Sequence, residues 1–310
     1  MRILVTGASG FIGKALCREL LARRHTMRTT VRRPDPSESG DLQQVIIPDI
    51  AGTFDRRTLV DGIDVIVHLA AIAHRNARAS ELYRVNVDAA VRLAEAAIGT
   101  VRRFVFLSSV KVHGEDSGSG AYSEADPLRP EDSYGRAKRD AELALTEIAA
   151  RGGMELVMIR PPLVYGPGVG GNFLRLLQWV DSRLPLPFAS IFNQRSLIHL
   201  DNLVDAIAHC VEHPGSPGPV LFSDAESVST PELMARIARA LARPVRLFRI
   251  PPELLYIAGA ISGRRDEMRR LTRSLVIDCS KARRLLDWHP RLTLDEGLVE
   301  TANWFRSRDG

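Results

Sequence analysis

Short apolar runs alternate with stretches of helical spacing along the first half of the chain. Arg2 to Val5 forms a β-rich run, and Gly7-Ala8-Ser9-Gly10-Phe11-Ile12-Gly13 then turns the chain. From Ala15 to Arg24 the apolar residues Ala15, Leu16, Leu20 and Leu21 recur at helical spacing. Strands are expected at Met27–Val31, at Val45–Ile47, at Asp64–Leu69 and at Arg103–Leu107, with another over Met154–Ile159. The DVIVHL run is apolar without alternation, as in a strand covered on both faces. Between these runs, Asn86–Ala97 and Ser133–Ala150 read as helices, the second stopped by Gly152-Gly153. The alternation implies an α/β fold with a doubly wound parallel sheet.

After Arg160 the rhythm breaks. Pro161, Pro162, Pro167 and the glycines at 168, 170 and 171 mark a loop. A helix capped by Asp201 is expected over Asn202–Glu212, and a returning strand over Val220–Phe222. Ser229-Thr230-Pro231-Glu232 starts another helix. The last third reads as helix-rich. Its most apolar stretch, Leu254–Ile261, is far too short for a bilayer span and is expected to be a core helix segment. The expected division is residues 1–162 plus 196–225 for a cofactor domain. Residues 163–195 plus 226–310 form a smaller, helix-rich C-terminal substrate domain.

Composition adds little. With 310 residues, 45% apolar and 25% charged, the chain is of ordinary globular make-up. The formal charge of +5 comes with only four lysines, and no run of five like charges occurs. A nucleic-acid partner is not expected. Cys17, Cys210 and Cys279 lie far apart, in neither a metal-ligand spacing nor a disulfide framework. No metal site is expected. The opening MRILVTGASG reaches glycine too soon for a secretory leader. Buried thiols and a cytoplasmic location, without membrane insertion, are the expectation.

The first turn carries the clearest chemistry. Gly7 permits the tight turn, Gly10 lets a pyrophosphate approach the backbone, and Gly13 lets the helix pack on the strand. Free N–H groups at the helix start then face the phosphates. A bound dinucleotide follows. At the end of the second strand stands Arg32-Arg33, with no acid before Asp35. A guanidinium pair there suits a 2′-phosphate, so NADP(H) is favoured over NAD(H). Asp49, after the third strand, either meets the adenine edge or simply forms a turn.

Tyr134-Gly135-Arg136-Ala137-Lys138 opens the long helix and sets a phenol and an ammonium on one face. The ammonium, with a positive nicotinamide ring, favours the phenolate, an acid/base usable near neutral pH. Ser109 lies at a strand's carboxyl end, where such sheets bind ligands.

TGASGFIG, HLAA at 68–71, LSS at 107–109, YGRAK at 134–138, RPPLVYGPG at 160–168 and LIHLDNLVDA at 197–206 stand in one order over nearly the whole length. In these the chain resembles the extended short-chain dehydrogenase/reductases of the nucleotide-sugar epimerase, dehydratase and reductase group. The resemblance implies a Rossmann-like fold with Ser109, Tyr134 and Lys138 as the catalytic set. It implies a cofactor held by Gly7, Ser9, Gly10, Phe11, Ile12, Arg32, Arg33, Asp49, Ile50, Leu69, Ala70, Ala71 and Pro161, besides Tyr134 and Lys138. A UDP-linked sugar would meet His74, Ser109, Lys111, Tyr134, Asn172 and Arg195. One of Arg269, Arg270 and Arg273 would add a phosphate contact. A homodimer through the helices at Asn86–Ala97 and Ser133–Ala150 is the family pattern.

The chain also departs from the group. Leu163 stands where many members have Asn, and Lys111 and His113 stand where typical UDP-galactose 4-epimerases have Thr and Tyr. The segment after Ser109 is more similar to UDP-sugar 4-ketoreductases. The first expectation is therefore NADPH-dependent reduction of a UDP-linked 4-keto-6-deoxy (N-acetyl) hexose for surface polysaccharide. The alternative is a UDP-sugar 4-epimerase with tightly held NAD. A non-catalytic dinucleotide sensor is a third reading, against which both Tyr134 and Lys138 speak.

Overall fold

The β-branched and aromatic runs of the first half pair side by side. In the computed structural model, which describes residues 1–33, 42–73, 78–261, 263 and 265–308, they form one seven-stranded parallel sheet. Its strands are β1 (Arg2–Thr6), β2 (Thr26–Val31), β3 (Leu42–Ile46), β4 (Val65–His68), β5 (Arg103–Leu107) and β6 (Glu155–Arg160). A later strand, β9 (Gly218–Leu221), completes it, and the order is β3-β2-β1-β4-β5-β6-β9. The sheet reverses direction of growth beside β1, between β1 and β4, so the carboxyl ends of these two strands open a crevice.

Helices cover both faces because successive strand residues point opposite ways. Ile3, Val5 and Val67 pack on one face with α1 (Phe11–Ala22), α7 (Leu200–Glu212) and α11 (Ser280–Leu286). Leu4, Ile66, Phe104 and Phe106 pack on the other, with α4 (Ala89–Ala97) and α5 (Ser133–Gly152). Two short helices, α2 (Arg56–Val60) and α3 (Ala79–Tyr83), precede α4. A single π-helical turn at Arg84–Asp88 joins α3 to α4. The fully buried Arg103 joins β5 to the end of α7. Its guanidinium donates to the carbonyls of Cys210 at 2.7 Å, Val211 at 3.0 Å and Gly215 at 3.0 Å.

A second sheet, not expected from the sequence, lies beyond Arg160. It holds β7 (Leu163–Tyr165), β8 (Arg195–His199) and β10 (Ser227–Val228), in the order β10-β8-β7. These strands are two to five residues long. Ser196–His199 thus pair with the small sheet, while α7 and β9 return to the large one. A third core forms around it from α6 (Gly171–Asp181), α8 (Thr230–Ala240) and α12 (Leu294–Ser307), with Phe173, Leu177, Met234, Leu298 and Phe305 inside. The remaining helices are α9 (Pro252–Ile261) and α10 (Arg265–Thr272).

Several helix limits are set by local chemistry. Asp132 caps α5 by accepting from Gly135 N at 2.7 Å, and Gly153 ends it with φ of 62°. The cap of α7 is His199 rather than Asp201. Its Nδ1 accepts from Asp201 N at 3.3 Å, which places Asp201 in the first turn. Leu254–Ile261 is helical as expected but is not core. Leu255 is buried while Leu254, Ile257 and Ile261 face outward. The three cysteines are buried. Among the described residues, no helix is long and apolar enough to cross a membrane.

Candidate active site

The crevice is built from two loops pressed together. After β1 the chain turns through Gly7 at φ of 73°, and a Cβ there would lie 2.8 Å from Ala70 N. After β4, Leu69 N donates to Thr6 O at 3.2 Å and Ala70 N to Thr6 Oγ1 at 3.4 Å. At Gly13 a Cβ would sit 2.2 Å from Gly7 O, so only glycine lets α1 start this close to the strand. Gly10 precedes α1 without a side chain to cap it. The first N–H groups of α1 are thus left for a ligand. Ser9 and Gly10 are exposed, and Phe11 and Ile12 half-buried. This bare, glycine-lined cradle fits the pyrophosphate of a dinucleotide.

The flanks are held from outside the cradle. Asn86, in the π turn, accepts from Ile72 N at 2.7 Å and donates to Ile72 O at 2.9 Å, fixing the chain just past Ala70-Ala71. Asp49 accepts from Ala51 N at 3.0 Å and pairs with Arg84 at 2.6 Å. The Arg84 bond holds its carboxyl below the usual range. Asp49 thus forms a turn just after β3. Ile50 offers its carbonyl to Arg56 at 3.1 Å. Arg32 and Arg33 stand exposed just past β2.

Ser109, Tyr134 and Lys138 come from two neighbouring elements. Ser109 follows β5 and caps a 3₁₀ turn, Val110–Val112, its Oγ accepting from Lys111 N at 3.3 Å. Tyr134 and Lys138 lie in the first turns of α5. Lys138 is buried and donates to Leu107 O at 2.7 Å, with Nζ 4.5 Å from the Phe106 ring centre and 6.0 Å from that of Tyr134. Burial lowers its ammonium to about 7, with the Glu142 carboxylate pulling the other way. Burial and the Asp132 carboxylate push the Tyr134 phenol well above 10. Within the protein itself burial thus outweighs the nearby ammonium, and the phenol form prevails. His68, stacked on Phe106, is pushed down to about 3 by burial and the Lys138 charge, so it is a neutral core residue. Pro161 closes the floor, its carbonyl accepting from Val110 N at 3.0 Å.

The substrate side is a cluster of matched charges. Lys111 pairs with Glu115 and Asp132, both at 2.5 Å. Arg269 and Arg273 share Glu131, at 2.9 and 3.3 Å. Arg195 is half-buried and donates to the carbonyls of Arg270 at 2.6 Å and Arg273 at 3.1 Å, so its Nη1 ties β8 to the end of α10. Burial lowers it to about 10. Arg270 differs. Its Nε and Nη2 are buried without a hydrogen-bond acceptor, and the nearest carboxylate, of Glu115, is 3.7 Å from Nε. Asn172 Oδ1 accepts from Arg175 at 2.5 Å. His74 lies outside the described residues.

Residues 3–221 match the model of the NAD dependent epimerase/dehydratase family. The chain belongs to this family. It is 40% identical over 98% of its length to a UDP-glucose 4-epimerase of Vibrio cholerae, covering 95% of that protein. It is 31% identical over 98% of its length to a ceramide reductase of Caulobacter vibrioides, covering 94% of it. Among solved structures it is similar to MoeE5 in complex with UDP-glucose and NAD. That match has a TM-score of 0.80 at 29% identity, covering all of both chains.

In this epimerase/dehydratase chain one further group joins the two elements that carry Ser109, Tyr134 and Lys138, and sequence reasoning missed it. Arg160, at the end of β6, donates through Nε and Nη2 to Glu142 at 2.9 and 2.6 Å, and its Nη1 lies 3.0 Å from His113 Nε2. All three are buried. Glu142 is one turn beyond Lys138 on α5, and His113 directly follows the turn capped by Ser109. The guanidinium thus bolts both elements to the sheet. The signal was present: an acid four residues past Lys138 on an inward face, and an arginine ending an apolar strand. Glu142→Gln leaves this buried cation short of its counter-charge. It lowers stability by about 3–5 kcal/mol in urea unfolding; a loss under about 1 kcal/mol contradicts the link.

Lys138 supplies a second test. With only four lysines, selective ¹³C labelling at Cε resolves each by NMR. One resonance, absent in Lys138→Arg, titrates near 7 in the cofactor-free protein. Below that pH the ammonium dominates, above it the neutral amine. Four lysines all titrating above about 9.5, against an ordinary value near 10.4, contradict the assignment.

Proposed function

We propose that this chain interconverts the C4 epimers of a UDP-linked hexose, with NAD as its resident cofactor. The observation that carries the reading is the joint presence of Ser109, Tyr134 and Lys138 at the crevice of a chain 40% identical, end to end, to a UDP-glucose 4-epimerase. The NAD and UDP-glucose bound in the similar MoeE5 structure support both ligands. NADPH-dependent reduction of a 4-keto sugar would use the same residues, and the Arg32-Arg33 pair suits NADP. The higher identity to an epimerase than to a reductase favours epimerisation.

The glycine cradle after β1 would hold the NAD, which would supply a reversible hydride acceptor for C4. The protein's share is proton transfer and orientation. Tyr134 takes the proton from the C4 hydroxyl and later restores it. Its phenolate needs neighbouring positive charge, because burial alone disfavours it. The Lys138 ammonium, anchored on Leu107 O, supplies part of that charge and reaches the nicotinamide ribose. Ser109 Oγ donates a hydrogen bond to the C4 oxygen. Of Arg269, Arg270 and Arg273, Arg270 serves the diphosphate, since its buried N–H groups have no acceptor whereas Arg269 and Arg273 are paired with Glu131.

The test is conversion of UDP-glucose to UDP-galactose with no net reduced cofactor. Tyr134→Phe lowers turnover about 10²–10⁴-fold while the copurifying dinucleotide, identified by mass, stays bound. Mole-for-mole oxidation of NADPH by a UDP-linked 4-keto sugar, with UDP-glucose left untouched, overturns the proposal in favour of the reductase.

A further inference from the structure

The helix α9 turns an apolar face to the outside. Leu254 is 54% exposed, Ile257 56% and Ile261 84%. Their spacing of three and four puts them on one side of the helix. The opposite side is already packed. Leu255 is buried in the third core, a Cβ on Gly259 would meet Met268 at 2.6 Å, and Tyr256 OH bonds Thr272 Oγ1 at 2.7 Å. The outer face is therefore not an unfinished core contact of this chain. Phe248, just before the helix, is 44% exposed as well. Single exposed apolar residues are ordinary, but a helix face made of them marks an interface.

Charge says what covers it. Residues 243–273, which contain α9 and α10, hold eight arginines and three acids. Of these, Arg269 and Arg273 pair with Glu131, Arg243 pairs with Asp181, and Arg270 is half-buried. Arg246 and Arg249 before α9, and Arg265 at the start of α10, are exposed.

We propose that α9 is a membrane-surface anchor. Its Leu254, Ile257 and Ile261 side chains enter the headgroup boundary of an anionic bilayer while the flanking arginines meet lipid phosphates. Ten residues of helix measure about 15 Å, half of the roughly 30 Å hydrocarbon core, so α9 lies in the membrane plane rather than across it. A second copy is the less fitting occupant. A two-fold pairing of this face would bring two like-charged segments together. Because α10 packs on the inner side of α9 and carries Arg270, docking would hold the sugar-nucleotide crevice close to the bilayer surface.

The test is flotation of the full chain with vesicles of phosphatidylglycerol or of phosphatidylcholine. The protein floats with phosphatidylglycerol at low salt, is released by high salt, and stays behind with phosphatidylcholine. Replacing Leu254, Ile257 and Ile261 together by Ser lowers binding about tenfold or more, and Arg246→Glu with Arg249→Glu lowers it too. Both variants keep the parent's unfolding midpoint and its turnover of soluble UDP-sugar. A parent that never floats with phosphatidylglycerol overturns the proposal, as does a triple variant that floats equally well. A triple variant that only changes oligomeric state, beside a parent that binds no vesicle, assigns the face to a second copy and overturns it likewise.

Discussion

The guanidinium of Arg160 sits where three requirements meet. The phenol and ammonium of Tyr134 and Lys138 ride on α5, and the hydroxyl of Ser109 rides on the turn after β5. Apolar packing of Ala137, Ala141, Leu145 and Ile148 seats α5 on the sheet. Arg160 gives α5 a fixed height through Glu142 and the Ser109 turn a fixed position through His113. A buried ion pair of this kind contributes little net stability against an apolar substitute, but breaking one half of it is costly. That asymmetry suits a positioning role. It tolerates no other geometry, and it keeps a charged group near enough to Lys138 to raise the ammonium that burial depresses.

The cofactor side uses the same logic with backbone groups. Gly7 against Ala70, Gly13 against Gly7 and Asn86 against Ile72 each bring main chain within contact distance, so the cradle is shaped before any ligand arrives. The substrate side is different. Its cations are already countered by Glu115, Glu131 and Asp132, and Arg195 serves as a strut for α10. The N–H groups left without an acceptor there are those of Arg270.

Much of this was legible in the sequence, and the reasons differ by element. The strand–helix alternation from Arg2 to Arg160 became the large sheet because apolar period and glycine placement agree there. Asp132 and Gly153 bound α5 as cap chemistry requires. The small sheet was hidden, because β7 and β10 are only three and two residues long and β7 lies between Pro162 and Pro167. His199 took the capping place expected of Asp201 because an imidazole nitrogen accepts as a carboxylate does. Leu254–Ile261 read as core because its apolar content is high on every side, and composition does not reveal which side is covered. The Arg160 link needed three residues from distant segments, a juxtaposition that no local spacing displays.

The central claim is that hydride leaves C4 of the sugar and comes back to the same carbon within one crevice, shaped by this link. It is tested most directly with UDP-glucose carrying deuterium at C4. The account predicts that UDP-galactose forms with deuterium still at C4, by NMR or mass, and that added cofactor gains none. Epimer that has lost its deuterium to solvent or to the free cofactor pool would contradict it.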